Sequence, residues 1–115
     1  MDAFDPRKKG KPKLEKEHGE ELRQLMKARG WMVRKVTGSM YMVGWPDYFA
    51  CHKEFDYRWI EMKRPVTGKL DDDQRKIFME FHNHGAGIWI LETKEDYPLL
   101  FEKPNWWKYT IKGMY

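Results

Sequence analysis

The sequence predicts a single α/β domain in which helices flank one mixed β-sheet. Its patterns give the order helix, several strands, helix, strand, which is typical of a mixed sheet covered by helices. The length of 115 residues leaves room for one core and no second domain. Residues 14–115 are therefore expected to form one domain, preceded by residues 1–13.

Residues 1–13 have the composition of a flexible basic arm. They carry five lysines and arginines in a stretch that Pro6, Gly10 and Pro12 interrupt. Proline and glycine at this density disfavour a helix. Two interpretations fit the arm: a solvated tail, or a segment that contacts DNA. It lacks the apolar middle of a secretory signal.

The first predicted helix covers residues 14–29, and Gly30 ends it. At about 100° per residue, its apolar side chains fall within one arc of roughly 120°. Glu15 falls inside the same arc, so one acid is expected to face the core. Residues 31–36 alternate and are rich in β-formers, which predicts a strand after this helix.

A β-hairpin follows, with strands at residues 47–52 and 57–63 and a turn between them. Residues 59–63 are apolar enough to form a central strand. Asp71 then begins a second helix, because Gln74 completes a capping-box pattern three residues later.

The last elements are predicted as strands. Residues 87–92 form a short apolar strand after the second helix. Trp107, Tyr109 and Ile111 alternate with polar residues, which predicts an edge strand.

Composition narrows the function classes. A single cysteine, Cys51, excludes an internal disulfide framework and a cysteine-built zinc site. No apolar run approaches the roughly 20 residues that cross a bilayer, so no membrane partner is expected. A net charge of +4 with 16% aromatic residues suits a nucleic-acid partner, through phosphate neutralisation and base contacts.

Four charged residues are expected to converge near one face of the sheet. Side chains alternate along a strand, so Glu61 and Lys63 share a face, while Asp47 opens the neighbouring strand and Glu15 faces the core. Carboxylate oxygens bind Mg²⁺ and leave positions for water and phosphate. Asp47 and Glu61 are the natural metal ligands, the backbone carbonyl of Met62 is a further one, and Glu15 would bind directly or through water. Lys63 would orient the attacking water.

Simpler interpretations of the same residues stay open. Glu61 and Lys63 also fit a surface ion pair, because Glu-x-Lys is a common pattern. Gln74 shares a helix face with apolar residues, so its amide could either reach the same site or only cap the helix. Five further residues could contact the DNA backbone: Arg34, Lys35, Ser39, Arg64 and Lys69.

Three motifs carry a family resemblance. They are Gly44-Trp45-Pro46-Asp47, Glu61-Met62-Lys63-Arg64-Pro65, and Gly68-Lys69-Leu70 followed by Gln74. Glu15, followed about fifteen residues later by Gly30 and Trp31, matches a fourth feature. Together they resemble the VRR-NUC branch of the PD-(D/E)XK nucleases, over roughly residues 14–91. Small stand-alone members resemble phage or bacterial junction-resolving enzymes.

The resemblance implies a restriction-endonuclease-like core and a nuclease that depends on Mg²⁺ or Mn²⁺. It implies that Glu15, Asp47 and Glu61 bind the metal, that Lys63 is the catalytic lysine, and that Gln74 supports the active site. The run Asp71-Asp72-Asp73 departs from the family pattern, in which serine and proline are usual.

The resulting expectation is an endonuclease that cuts structured DNA, with four-way (Holliday) junctions as its substrate. A symmetric junction needs two active sites related by a two-fold axis, so a homodimer is expected, in the cytoplasm of a bacterial or phage-infected cell. Rival functions are a nuclease for flaps and other branched DNA, a restriction-type nuclease, a non-catalytic DNA-binding module, and a domain whose acids only form salt bridges. Aromatic residues near the end would form the dimer contact or complete the core: Trp106, Trp107, Tyr109, Met114 and Tyr115.

Overall fold

The computed structural model describes residues 14–36, 40–65 and 68–112, the last three of them as backbone only. The predicted arm at residues 1–13 lies outside the described residues. So do the candidate DNA contact Ser39 and the tail residues Met114 and Tyr115.

The sheet has four strands in the order β1-β2-β3-β4. These are β1 (Met32–Lys35), β2 (Tyr48–His52), β3 (Asp56–Met62) and β4 (Ile88–Leu91). The β1–β2 and β2–β3 pairs are antiparallel, and the β3–β4 pair is parallel. The predicted hairpin, the central position of β3 and the mixed sheet are thus confirmed.

Helices cover both faces of this sheet. Helix α1 (Glu15–Ala28) packs on one face, and helix α2 (Asp72–Asn83) connects β3 to the parallel strand β4 across the other. A 3₁₀ helix at Lys94–Phe101 and a short helix α3 (Trp106–Lys112) follow β4, and a 3₁₀ turn at Met40–Met42 precedes β2. No helix in the described part of the chain is both long and apolar enough to span a bilayer.

The core lies on both faces of the sheet because successive side chains of a strand point to opposite faces. All of β4 is buried for this reason. Its Trp89 and Leu91 pack on the side of α1 with Leu22, whereas Ile88 and Ile90 pack on the side of α2 and α3.

A glycine lets α1 approach the sheet closely. A Cβ atom at Gly19 would lie 2.6 Å from the hydroxyl oxygen of Tyr48, at the start of β2. The weak helix propensity of Gly19 is therefore offset by a contact that no larger residue permits at this position.

The predicted edge strand near the end of the chain is wrong. The segment forms α3, with Trp106 and Tyr109 buried three residues apart and Trp107 half exposed. A strand cannot pair with β4 there, because the side chain of Asn105 occupies its outer edge. The Oδ1 atom of Asn105 accepts a hydrogen bond from the Ile90 nitrogen (2.6 Å), and its Nδ2 atom donates to the Ile90 carbonyl (3.0 Å). Trp106 and Tyr109 thus complete the core.

Candidate active site

Asp47 and Glu61 are brought together by the register of the hairpin. Tyr48 pairs with Ile60, so the residues one step outward, Asp47 and Glu61, lie opposite each other. The backbone nitrogen of Asp47 donates to Oε1 of Glu61 (3.1 Å), and the nitrogen of Met62 donates to Oδ2 of Asp47 (2.9 Å). Each carboxylate is therefore fixed by the backbone of the other strand.

Lys63 and Gln74 complete a closed set of contacts with Glu61. The Lys63 Nζ atom lies 3.3 Å from Oε2 of Glu61 and donates to Oε1 of Gln74 (2.8 Å). The Nε2 atom of Gln74 donates to Oε2 of Glu61 (2.7 Å). Glu61, Lys63 and Gln74 are 2%, 9% and 9% exposed. This burial is inconsistent with a surface ion pair.

Gln74 both caps helix α2 and reaches the site. Its backbone nitrogen bonds to the Asp71 side chain (2.8 Å), and its Oε1 atom accepts from the Asp71 nitrogen (3.2 Å), which forms the predicted capping box of α2. The same side chain contacts Glu61 and Lys63. Capping therefore fixes the amide in the orientation that the site requires.

Glu15 lies at the edge of this site. Its Oε1 atom accepts a hydrogen bond from the backbone nitrogen of Arg64 (3.1 Å), just beyond Lys63. It also lines a recess of about 190 Å³, together with Asp47 and Met62. We call this recess the active-site recess; its other lining residues are Lys16, Lys35 and Tyr48.

Burial makes the two central carboxylates hard to ionise. The pKa of Glu61 is raised from 4.5 to about 8, mainly by burial and then by the negative charge of Asp47. Lys63 and the amide of Gln74 oppose this rise. Burial also raises the pKa of Asp47, against the hydrogen bond from the Met62 nitrogen. Neighbouring carboxylates with raised pKa values are typical of functional sites.

The donor set fits a divalent cation held by few protein ligands. Among residues 14–36, 40–65 and 68–112, no three acidic, histidine or cysteine side chains cluster closely enough to hold a metal ion. Mg²⁺, however, is commonly bound by one or two carboxylates, with waters and substrate phosphate completing its shell. Asp47 and Glu61 supply such a pair beside an open recess. The Met62 carbonyl and Glu15 stay predicted ligands.

The predicted DNA contacts are all exposed where the structure describes them. Lys35 lines the active-site recess, and Arg34 precedes it on β1. Arg64 and Lys69 flank the loop that leads from β3 to α2. Sequence reasoning missed Lys16 and Tyr48 as lining residues, although each is the chain neighbour of a predicted metal ligand.

The fold is similar to that of a solved structure described as a VRR_NUC domain. The TM-score is 0.66 and 22% of the residues are identical, over 76% of this chain and 94% of that chain. No protein-family model and no curated protein matches the sequence. The similarity confirms, at the level of the fold, the resemblance found in the motifs. The chain has the α/β fold of a VRR-NUC domain, with a restriction-endonuclease-like core.

Proposed function

We propose that this chain is an endonuclease that hydrolyses phosphodiester bonds in structured DNA and requires Mg²⁺ or Mn²⁺. One observation carries the proposal: buried Glu61, Lys63 and Gln74 form a hydrogen-bonded site with the partly buried Asp47 at the end of the hairpin. Likeness to a VRR_NUC domain structure supports the same activity.

The residues divide the work according to their chemistry. Asp47 and Glu61 offer hard oxygen donors for the cation, which when bound polarises the phosphoryl oxygen and lowers the pKa of a coordinated water. Lys63 carries a positive amino group beside these carboxylates, where it can orient the water and offset charge on the phosphate. Gln74 is a positioning residue, because it holds the amino group of Lys63 and one carboxylate oxygen of Glu61 through two hydrogen bonds.

Four-way junctions are the substrate we propose. One active site cuts one strand, so symmetric cleavage of a junction requires two copies related by a two-fold axis. We therefore propose a homodimer, working in the cytoplasm of a bacterial or phage-infected cell.

A substrate panel tests the proposal. The protein is incubated with labelled four-way junction, 5′ flap, linear duplex and single strand, in Mg²⁺ or in EDTA. Paired nicks in the junction, with Mg²⁺ alone, support the proposal in full. Cleavage of the flap or of the duplex keeps the nuclease and overturns the substrate. Binding to DNA without cleavage in Mg²⁺ or Mn²⁺ identifies a non-catalytic DNA-binding module and overturns the activity.

A further inference from the structure

A second cavity joins the active-site recess on the surface. It has a volume of about 400 Å³ and lies between α1 and β1. We call it the α1–β1 groove; it is lined by Lys16, Arg23, Val33, Arg34, Lys35 and Tyr48, with Glu20 at its side. Lys16, Lys35 and Tyr48 line both cavities. The groove therefore leads directly away from the carboxylates.

The groove is strongly cationic. Among the described residues that line it, four are lysines or arginines and one, Glu20, is acidic. Lys16 and Lys35 are exposed and form no ion pair within the described residues. Arg23 contacts Glu20 at 3.0 Å, but their side chains are 32% and 54% exposed, and solvent-accessible pairs of this kind contribute little. Arg23 can therefore leave Glu20 for a ligand anion at small cost.

The floor of the groove is buried, whereas its basic side chains reach solvent. Strand β1 is an edge of the sheet: among the described residues it pairs with β2, and no strand lies on its outer side. Val33 and Tyr48 are buried beneath the groove, and Tyr48 is held against Gly19 of α1. A buried floor bordered by basic side chains suits a polyanionic ligand.

The length of the cationic side matches a short run of nucleotides. Lys16 and Arg23 are seven residues apart on α1, which spans about 10 Å at 1.5 Å per residue. One DNA strand carries one phosphate per about 3.4 Å of helix axis, so a groove aligned with the duplex axis spans about three phosphates of that strand. The lysine end of the groove is the end next to Asp47.

We propose that the α1–β1 groove binds the phosphates on one side of the scissile bond. Lys16 and Lys35 contact the phosphates nearest the carboxylates, and Arg23 and Arg34 contact those farther along the strand. The inference rests on the proposed function, because it takes the carboxylate site as the point of cleavage.

Salt dependence of binding tests this assignment. Affinity for a labelled four-way junction is measured by fluorescence anisotropy in EDTA, over a range of KCl concentrations. Each phosphate contact contributes about 0.9 to the slope of log affinity against log salt. The double variant Lys16→Ala/Lys35→Ala should lose about 1.8 from the wild-type slope. The control Lys27→Ala/Lys53→Ala removes the same charge from exposed positions outside the groove, and it should keep the wild-type slope.

DNA substrates with single uncharged backbone linkages locate the phosphate contacts. Methylphosphonate linkages are placed one at a time around the cleavage position of a substrate that wild-type protein cuts. Wild type should lose affinity for about three successive positions on one side only, and Lys16→Ala/Lys35→Ala should be insensitive to the nearest of them. Equal slopes in the two double variants, or equal sensitivity on both sides, would overturn the groove assignment while the nuclease stands. Gel filtration tests a further outcome. If Lys16→Ala/Lys35→Ala keeps the wild-type slope but changes its oligomeric state, the groove contacts a second copy of the chain. That result would also overturn the assignment of the groove to DNA phosphates. A wild-type protein that neither binds nor cuts DNA would overturn the proposed function itself.

Discussion

Replacing Asp47 by asparagine should stabilise the metal-free protein at alkaline pH. Oδ2 of Asp47 accepts the hydrogen bond from the Met62 nitrogen, and within the described residues Oδ1 has no hydrogen-bond partner. Asparagine can therefore keep the Met62 contact through its oxygen and place its NH₂ group where Oδ1 lies. The change removes a negative charge beside Glu61 with little change in packing.

The magnitude follows from the raised pKa of Glu61. The Glu61 carboxyl group has a pKa of about 8 in the folded protein and 4.5 in the unfolded chain. Between pH 4.5 and pH 8 it therefore loses its proton when the protein unfolds. The free energy of unfolding consequently falls as the pH rises through this range. At 1.36 kcal/mol per unit, the full cost above pH 8 is at most about 5 kcal/mol. Burial is the largest cause and Asp47 the second. Removing the charge of Asp47 should raise the free energy of unfolding by about 1–2 kcal/mol.

Denaturant unfolding in EDTA at pH 4 and pH 8.5 measures this gain. Asp47→Asn should be more stable than wild type by about 1–2 kcal/mol at pH 8.5, and close to wild type at pH 4, where Glu61 is mostly protonated in both states. Asp56→Asn is the matched control, because Asp56 is exposed at the first position of β3 with φ 66°, a conformation that asparagine tolerates. An Asp47→Asn protein that is less stable than wild type at pH 8.5 would refute the reasoning.

Three further predictions concern the site and the sheet edge. Mn²⁺ affinity measured by calorimetry should rise with pH until about pH 8 and then level off, because Glu61 must lose its proton before the cation binds. Equal affinity at pH 6 and pH 9 would contradict this prediction. Gln74→Ala should lower the free energy of unfolding by about 2–3 kcal/mol, since it disrupts a capping box and removes one hydrogen bond each from buried Glu61 and Lys63. A loss below 0.5 kcal/mol in a urea titration would argue against the network. Asn105→Ala should lower the free energy of unfolding by about 1–3 kcal/mol, because it leaves the backbone groups of Ile90 at the outer edge of β4 without their side-chain partner. The control Asn83→Ala, at the exposed end of α2, should change stability little. Equal melting temperatures for these two variants would contradict the role of Asn105.

Much of the site was predictable because its signals are local. The period of two along residues 57–63 placed Glu61 and Lys63 on one face of a central strand. The capping box of Asp71 and Gln74 began a helix whose inward face carries the amide. The contact between Asp47 and Glu61 follows from the hairpin register, and the turn between the two strands was also predictable.

The remaining features depend on contacts between distant parts of the chain. Alternation near Trp107 fits a strand as well as it fits a short helix, and the Asn105 contact with β4, fifteen residues away, decides between them. The proximity of Lys16 and Lys35 exists only after α1 packs beside β1. The value of a glycine at position 19 likewise depends on Tyr48.

The central claim is that Lys63 acts in metal-dependent hydrolysis at the Asp47–Glu61 pair. Single-turnover cleavage of a four-way junction in Mg²⁺ should be compared for wild type, Lys63→Met and the exposed control Lys53→Met. Methionine keeps the buried methylenes and removes the amino group, and thermal melting and DNA binding check that the variant is folded. We predict a rate loss of about 10²–10³ for Lys63→Met and a wild-type rate for Lys53→Met. A folded, DNA-binding Lys63→Met protein that cuts at the wild-type rate would contradict the account.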